Sequence, residues 1–178
     1  MLFDYQPRLQ GPLVCLRPAS SQDWHRLFEL GSEPAVWAGH PNPDRYLEPQ
    51  FRAYFDDGIR SGGALVALDA ATGEIIGWSR YSVEHVGPDE IEIGWTFLGR
   101  AYWGGAYNSA MKRLMLEHAF RFVDRVVFRI GDTNTRSRRA AEKIGARLDP
   151  DRRTPSAVPG GPDTLFYTVS RADYAARG

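Results

Sequence analysis

Residues 101–111 read AYWGGAYNSAM. The adjacent glycines Gly104 and Gly105 stand between an apolar run ending at Leu98 and a long stretch of helical period. Glycine at a helix start is costly unless the backbone must adopt a conformation, or admit a neighbour, that a side chain would forbid. A strand, a glycine turn and a helix in succession make an anion site. The first turn of the helix presents unpaired N–H groups and the positive end of its dipole, and small residues let a phosphate reach them. The loop lacks the Lys-Ser/Thr of a nucleotide P-loop and the three glycines of a dinucleotide fingerprint, so the expected anion is neither ATP nor NAD.

Working outward, residues 106–123 place Met111, Leu114, Met115, Ala119, Phe122 and Val123 on one helical face. Upstream, PDEIEIGWTFL (88–98) reads as a strand, and ALVALDAATGEIIGWSRYSV (64–83) as two strands joined at Ala-Thr-Gly. Further back lie a strand in GPLVCLRP, a helix that Ser20 or Ser21 caps, and a helix in PQFRAYFDDGIRSG. Residues 31–49, rich in Pro, Gly and Asn, read as loop and short helix, with Trp37 and Tyr46 exposed. Downstream, RVVFRIG is a β-branched strand and NTRSRRAAEKIGA a capped helix stopped at Gly145; two strands close the chain, the last being DTLFYTV. The order β-α-α-β-β-β-α-β-α-β-β predicts a mixed α/β (α+β) single domain over residues 1–178.

The bulk numbers exclude several classes. With 22 Lys plus Arg against 22 Asp plus Glu, no global field draws in DNA or an anionic membrane, and specific nucleic-acid binding is not expected. The single cysteine, Cys15, has no partner for an internal disulfide and reads as a small core residue. Four scattered histidines show no ligand spacing, so no metal site is expected. The amino terminus lacks the basic lead and apolar run of a signal peptide, and no segment reaches the length of a membrane span. A cytoplasmic protein without a membrane partner is expected, and a homodimer is left open.

A second segment narrows the anion. GDTNTRSRRAAEKIGA (131–146) follows a strand, with Asn134 or Thr135 in the cap region. Taken together, Glu92-Ile93-Gly94-Trp95, Tyr102-Trp103-Gly104-Gly105-Ala106-Tyr107-Asn108, Asn134-Thr135-Arg136-Ser137 and Glu142-Lys143-Ile144-Gly145-Ala146 resemble the linked motifs of the GNAT-superfamily N-acetyltransferases. The branch most similar is that of the ribosomal-protein-alanine N-acetyltransferases. The four motifs stand in the family's order and separations, and a weaker likeness runs from Leu13 to the end.

The resemblance implies a mostly antiparallel twisted sheet, flanked by helices, that splays at a cofactor notch. It also implies acetyl-CoA as acyl donor and an amine acceptor, either a peptide N-terminus or a small amine. By that pattern Trp103, Gly104, Gly105, Ala106, Tyr107 and Asn108 hold the pyrophosphate, and the backbone of Thr96, Phe97 and Leu98 pairs with the pantetheine arm as an added strand would. Asn134 hydrogen-bonds the arm, and Arg139, with Arg136 and Arg138, is available to the ribose phosphate. Three departures stand out. Ala101 stands where the family often has Gln or Arg, three residues before the first glycine. Ala110 replaces an acid of the family's loop motif, and Ala141 occupies a position where many members carry a tyrosine that protonates the leaving thiolate. Ser137 or water is left for that task. A larger acyl group such as succinyl, and a catalytically weak acyl-CoA-binding module, remain as further readings.

Acetyl transfer to an amine needs a neutral nitrogen, a polarised carbonyl and a route for the proton. Glu92 alternates with Ile91 and Ile93 and so points to the opposite face of its strand. There, partial desolvation would raise its pKa toward that of a general base, unless an arginine such as Arg80 pairs with it. An α-amine titrates near about 8 and a lysine near about 10.4, so an N-terminal or weakly basic amine asks least of such a base. Trp24, Trp37, His40, Tyr46, Tyr54 and Phe55 are available to line the acceptor end.

Overall fold

A computed structural model describes residues 2–177. Eight strands form one sheet: β1 (Leu9–Gln10), β2 (Val14–Pro18), β3 (Ala64–Asp69), β4 (Ile75–Ser82), β5 (Glu90–Leu98), β6 (Arg125–Gly131), β7 (Arg147–Thr154) and β8 (Thr164–Ser170). Their spatial order is β1-β2-β3-β4-β5-β6-β8-β7. All neighbours are antiparallel except β5 and β6. That exception follows from the connection: the helix between them returns the chain to the same end of the sheet, as a crossover must.

The helices are α1 (Trp24–Gly31), α2 (Pro34–Trp37), α3 (Glu48–Ser61), α4 (Tyr107–Ala119), α5 (Thr135–Lys143) and α6 (Arg171–Ala175). Two apolar layers sandwich the sheet. One joins Ile91, Ile93, Val126 and Phe128 to Met111, Met115 and Ala119 of α4 and Ala141 of α5. The other packs Trp24, Leu27, Trp37, Phe51, Tyr54 and Phe55 from α1, α2 and α3 against Val66, Trp78 and Phe97. The expected order of elements holds, and β1, α2 and α6 are short additions to it.

Two sequence expectations are corrected. Trp37 is 1% exposed rather than a surface aromatic, because its indole N–H donates to the Gly31 carbonyl at 2.7 Å and its rings pack on Phe51, Tyr54 and Phe97. Cys15 is only partly buried: alternation on β2 turns Val14 and Leu16, not Cys15, into the core.

β5 carries a bulge that matters for everything downstream. Gly94 pairs with Arg80 and Phe97 with Trp78, so Trp95 and Thr96 share the single partner position of Ser79. The extra residue switches the strand's faces: Ile91 and Ile93 face α4, yet beyond the bulge Phe97 faces α3 and Leu98 faces α4. Trp95 takes φ +51°, a conformation that costs a bulky residue energy. The Tyr54 hydroxyl bonded to its carbonyl and the Arg80 guanidinium 4.2 Å above its ring hold it there.

The α3 layer sits close because Gly58 lets it. A Cβ at that position would lie 2.1 Å from Cζ2 of Trp78, which is itself 1% exposed and has nowhere to go. Gly58→Ala should therefore lower stability by about 1–3 kcal/mol through overpacking. An alanine in a helix otherwise gains about 1 kcal/mol over glycine. Urea unfolding reads the sign, and a more stable variant would contradict this packing.

Candidate active site

The parallel pair β5–β6 is hydrogen-bonded only at Glu90–Arg125, Ile91–Val126 and Glu92–Val127. Past Glu92 the strands part, because the bulge turns β5 away while β6 continues its full pairing with β8. The gap opens into a cavity of about 510 Å³. Its floor is Glu92, one wall is β5 with α4, the other β6 with α5, and the segment around Trp37, His40 and Arg45 forms its roof.

Of the expected cofactor residues, Thr96, Phe97, Leu98, Trp103, Gly104 and Gly105 line this cavity. Asn108, Asn134 and the two residues with expected catalytic roles, Glu92 and Ser137, do so as well. Three lie off the lining. Ala106 is the exposed residue preceding α4. Tyr107 turns away and donates its hydroxyl to Asp69 Oδ2 at 2.8 Å. Arg139 is exposed on the outer side of α5, whose inner side presents Ala140, Ala141, Lys143 and Ile144. Arg136 and Arg138 are already engaged. Arg136 lies 4.0 Å over the Trp103 ring and donates to the Val36 carbonyl at 3.0 Å; Arg138 bonds the Tyr167 hydroxyl and the Asp132 carbonyl.

The glycine pair fits an anion cradle. A Cβ on Gly104 or Gly105 would meet nothing within 4 Å, and Gly104 has φ +72°, which favours glycine. Behind them α4 starts without a side-chain cap and without an acid in its first turn, so no capping side chain occupies its leading N–H groups. Pyrophosphate-bearing CoA suits that cradle by charge and shape. On the facing helix the Asn134 side chain accepts the Ser137 N–H at 3.2 Å, so both residues are first of all the cap of α5.

Glu92 does not pair with Arg80, whose guanidinium goes to Asp57 at 2.6 Å and Glu84 at 3.2 Å. Its neighbour is Arg129 of β6, at 3.7 Å, too far for a hydrogen bond, and among the described residues Glu92 Oε2 has no hydrogen-bond partner. Glu92 is 3% exposed. Burial pushes its carboxyl up to about 7, against the pull of Arg129 and Arg80. His40 moves the other way. Burial first, then the charges of Arg45 and Arg136, bring it down to about 3, so it stays neutral and accepts no proton near neutrality. Its Nε2 lies 3.3 Å from an Arg45 nitrogen, and Arg45 stacks on Tyr54 at 4.5 Å.

Sequence reasoning missed Lys112. It reaches from α4 into the wall of the cavity, 7% exposed, donating to Thr96 Oγ1 at 2.5 Å and Ser79 Oγ at 3.3 Å. Burial brings its amine down to about 7, with Glu92 pulling upward. The signal was present: Lys112 falls one turn from Asn108 and from Met115 on the sheet-facing side of α4. Of the aromatics expected at the acceptor end, Trp37 lines the cavity, while Trp24 and Phe55 are core. Among the described residues no group of three His, Cys, Asp or Glu is placed to hold a metal ion, and no helix is long and apolar enough to cross a membrane.

The Glu92 shift has a stability consequence. A carboxyl whose folded pKa lies above its unfolded value holds a proton in the native state that the unfolded chain releases. Its contribution is complete below the unfolded value and is lost as pH rises toward about 7. The wild type should therefore lose stability relative to Glu92→Gln between pH 4 and pH 8, by up to about 3 kcal/mol. Denaturant titrations of both proteins at the two pH values measure it; a constant difference would mean that Glu92 is not desolvated.

A family model of the GNAT acetyltransferase domain matches residues 14–147. Comparison with curated proteins gives no match. Among solved structures, the chain is similar to a GCN5-related N-acetyltransferase from Brucella melitensis, at 22% identity over 96% of this chain and 81% of that one, with a TM-score of 0.83. It is also similar to Mycobacterium smegmatis RimJ in complex with CoA-disulfide (19% identity, 99% and 95% covered, TM-score 0.73). A third is the Vibrio cholerae spermidine N-acetyltransferase in complex with CoA and spermine (12% identity, 93% and 99% covered, TM-score 0.70). At these identities the structural likeness establishes the fold.

Proposed function

The chain belongs to the GNAT acetyltransferase family, and we propose that it moves an acetyl group from acetyl-CoA directly to a primary amine, an N-terminal α-amine or a small amine of similar basicity. The observation that carries this reading is the pairing of two features in one cavity: the open glycine cradle at the start of α4 and a buried carboxyl, Glu92, at the apex of the strand gap. Gly104, Gly105 and the first N–H groups of α4 bind the pyrophosphate, and the β5 edge at Thr96, Phe97 and Leu98 lies alongside the pantetheine amides. The bulge at Trp95 leaves backbone groups without a ladder partner where the acyl carbonyl would be polarised.

Glu92 serves as the base. With a pKa of about 7 it is matched to an amine near about 8 far better than an ordinary carboxylate. It takes the amine proton directly or through one water, and Arg129, 3.7 Å away, stabilises the carboxylate before it does so. The lining suits such an acceptor: Arg45 of the roof and Arg129 of the β6 wall, beside the Glu92 carboxyl, disfavour a polycationic substrate and tolerate a peptide.

Two measurements test the reading. Calorimetric titration with CoA should show at least about tenfold weaker binding to Gly105→Asp, whose new carboxylate has room to fold but faces the phosphates. Equal affinity would remove the cradle from the account. Thiol release over a panel of peptides and amines, with acetyl-CoA and succinyl-CoA, should reveal an acceptor. For Glu92→Gln, kcat/KM should then fall about 10²-fold. In the wild type it should rise with pH through about 7 as Glu92 ionises. CoA binding with no acceptor found would leave a binding module instead.

A further inference from the structure

One buried charge in the cavity has no part in binding or deprotonating the acceptor. Lys112 sends its amine to the boundary between the diverging strands. Nζ is held on one side by Thr96 of β5 and Ser79 of β4, and on the other lies 5.6 Å from the Phe128 ring of β6. Those contacts place it across the opening itself, on the α4 side of the sheet, whereas Glu92 projects to the other face. An ammonium has three donors; the two hydroxyls accept two of them, and Lys112 is part of the cavity lining. The two hydroxyls are also bonded to each other at 2.8 Å, so they satisfy one another and do not need the lysine. A buried lysine that completes no structural hydrogen-bond requirement calls for a functional one.

Resting on the acetyl-transfer reading above, we propose that Lys112 is a catalytic residue: its ammonium stands against the sulfur of CoA, stabilises the thiolate as it leaves and supplies its proton. The balance is as follows. The amine nitrogen forms the new C–N bond while the C–S bond breaks and its electron pair stays on sulfur. One N–H proton of the acceptor passes to Glu92, and one proton of Lys112 passes to the thiolate, giving free CoA. Glu92 then holds a proton and Lys112 is neutral; solvent exchange at the open cavity restores both.

The other groups in the cavity suit this task less well. His40 is held neutral by burial and by its arginine neighbours. Ala141 has no polar atom, and the Ser137 hydroxyl is a far weaker acid than an ammonium. The groups facing Lys112 are the Ser79 hydroxyl from β4, the Thr96 hydroxyl from β5, the Phe128 ring from β6 and the field of Glu92. Glu92 is the only charged side chain among them. Burial lowers the amine to about 7, which makes it a ready donor near neutral pH.

The test is Lys112→Met, which keeps length and apolar bulk and leaves the Ser79–Thr96 hydrogen bond in place. Its primary readout needs no acceptor: the ultraviolet absorbance of the CoA thiolate, followed with pH in the bound complex. Lys112 and the bound thiol should titrate as a coupled pair, each new thiolate keeping the ammonium beside it charged, so that thiolate absorbance appears in the wild type at least about one pH unit below free CoA. In Lys112→Met that early absorbance should vanish, with CoA affinity by calorimetry changed less than about threefold. Identical bound-thiol titrations in the two proteins would overturn the proposal even if the enzyme is an acetyltransferase. With an acceptor in hand, kcat should fall about 10²-fold and the alkaline limb of the pH profile should disappear. An unchanged alkaline limb would also overturn it. If no acceptor is found for the wild type, the acetyl-transfer reading fails on its own, separately from the thiol titration.

Discussion

The parting of β5 and β6 beyond Glu92–Val127 is the constraint on which the rest depends. Two parallel strands that stayed paired would leave no room for a ligand and would satisfy their backbone groups on each other. Here the bulge at Trp95 rotates the outer half of β5, while β6 stays bonded to β8 along its whole length. The cost of a tryptophan at positive φ is met by the aromatic layer beneath, where Tyr54 and Arg80 grip Trp95 from two sides. The α1–α3 layer therefore does more than cover the sheet. It holds the bulge beside which the gap opens and lends Trp37 to the cavity lining.

That gap arranges charge as well as space. Glu92 at its apex and Lys112 on its wall are both buried, and neither has a close, fully satisfied counter-ion. Burial drives the acid up and the amine down, so both meet near pH 7, where acid–base chemistry is most effective. Elsewhere the chain pairs its charges conventionally: Arg17 with Asp23, and Arg125 and Arg152 with Glu90. These ion-paired charges contrast with the two buried titratable groups of the cavity, which lack a close counter-ion, the pattern that marks a candidate functional site.

Much of this was legible in the sequence. Strand-glycine-helix order located the open turn before α4, helical period located the core face of α4, and alternation located Glu92 opposite Ile91 and Ile93. What escaped was tertiary. Trp37 sits in a Pro- and Gly-rich segment that reads as surface, and only the carbonyl of Gly31 and the rings around it bury it. The partner of Glu92 proved to be Arg129 rather than Arg80, because β6 crosses over to lie beside β5, a neighbour that no local pattern reveals. Lys112 looked like one more polar residue of a helix until the bulge brought Thr96 and Ser79 beneath it.

The most direct test of the account is amide-resolved NMR of the chain titrated with CoA. The largest shifts are expected at Gly104 to Ser109 and at Thr96 to Leu98, the two sides of the strand gap, with β1, β2 and β7 undisturbed. Saturable binding that moved other amides and left these in place would contradict the assignment of the gap as the acyl-CoA site.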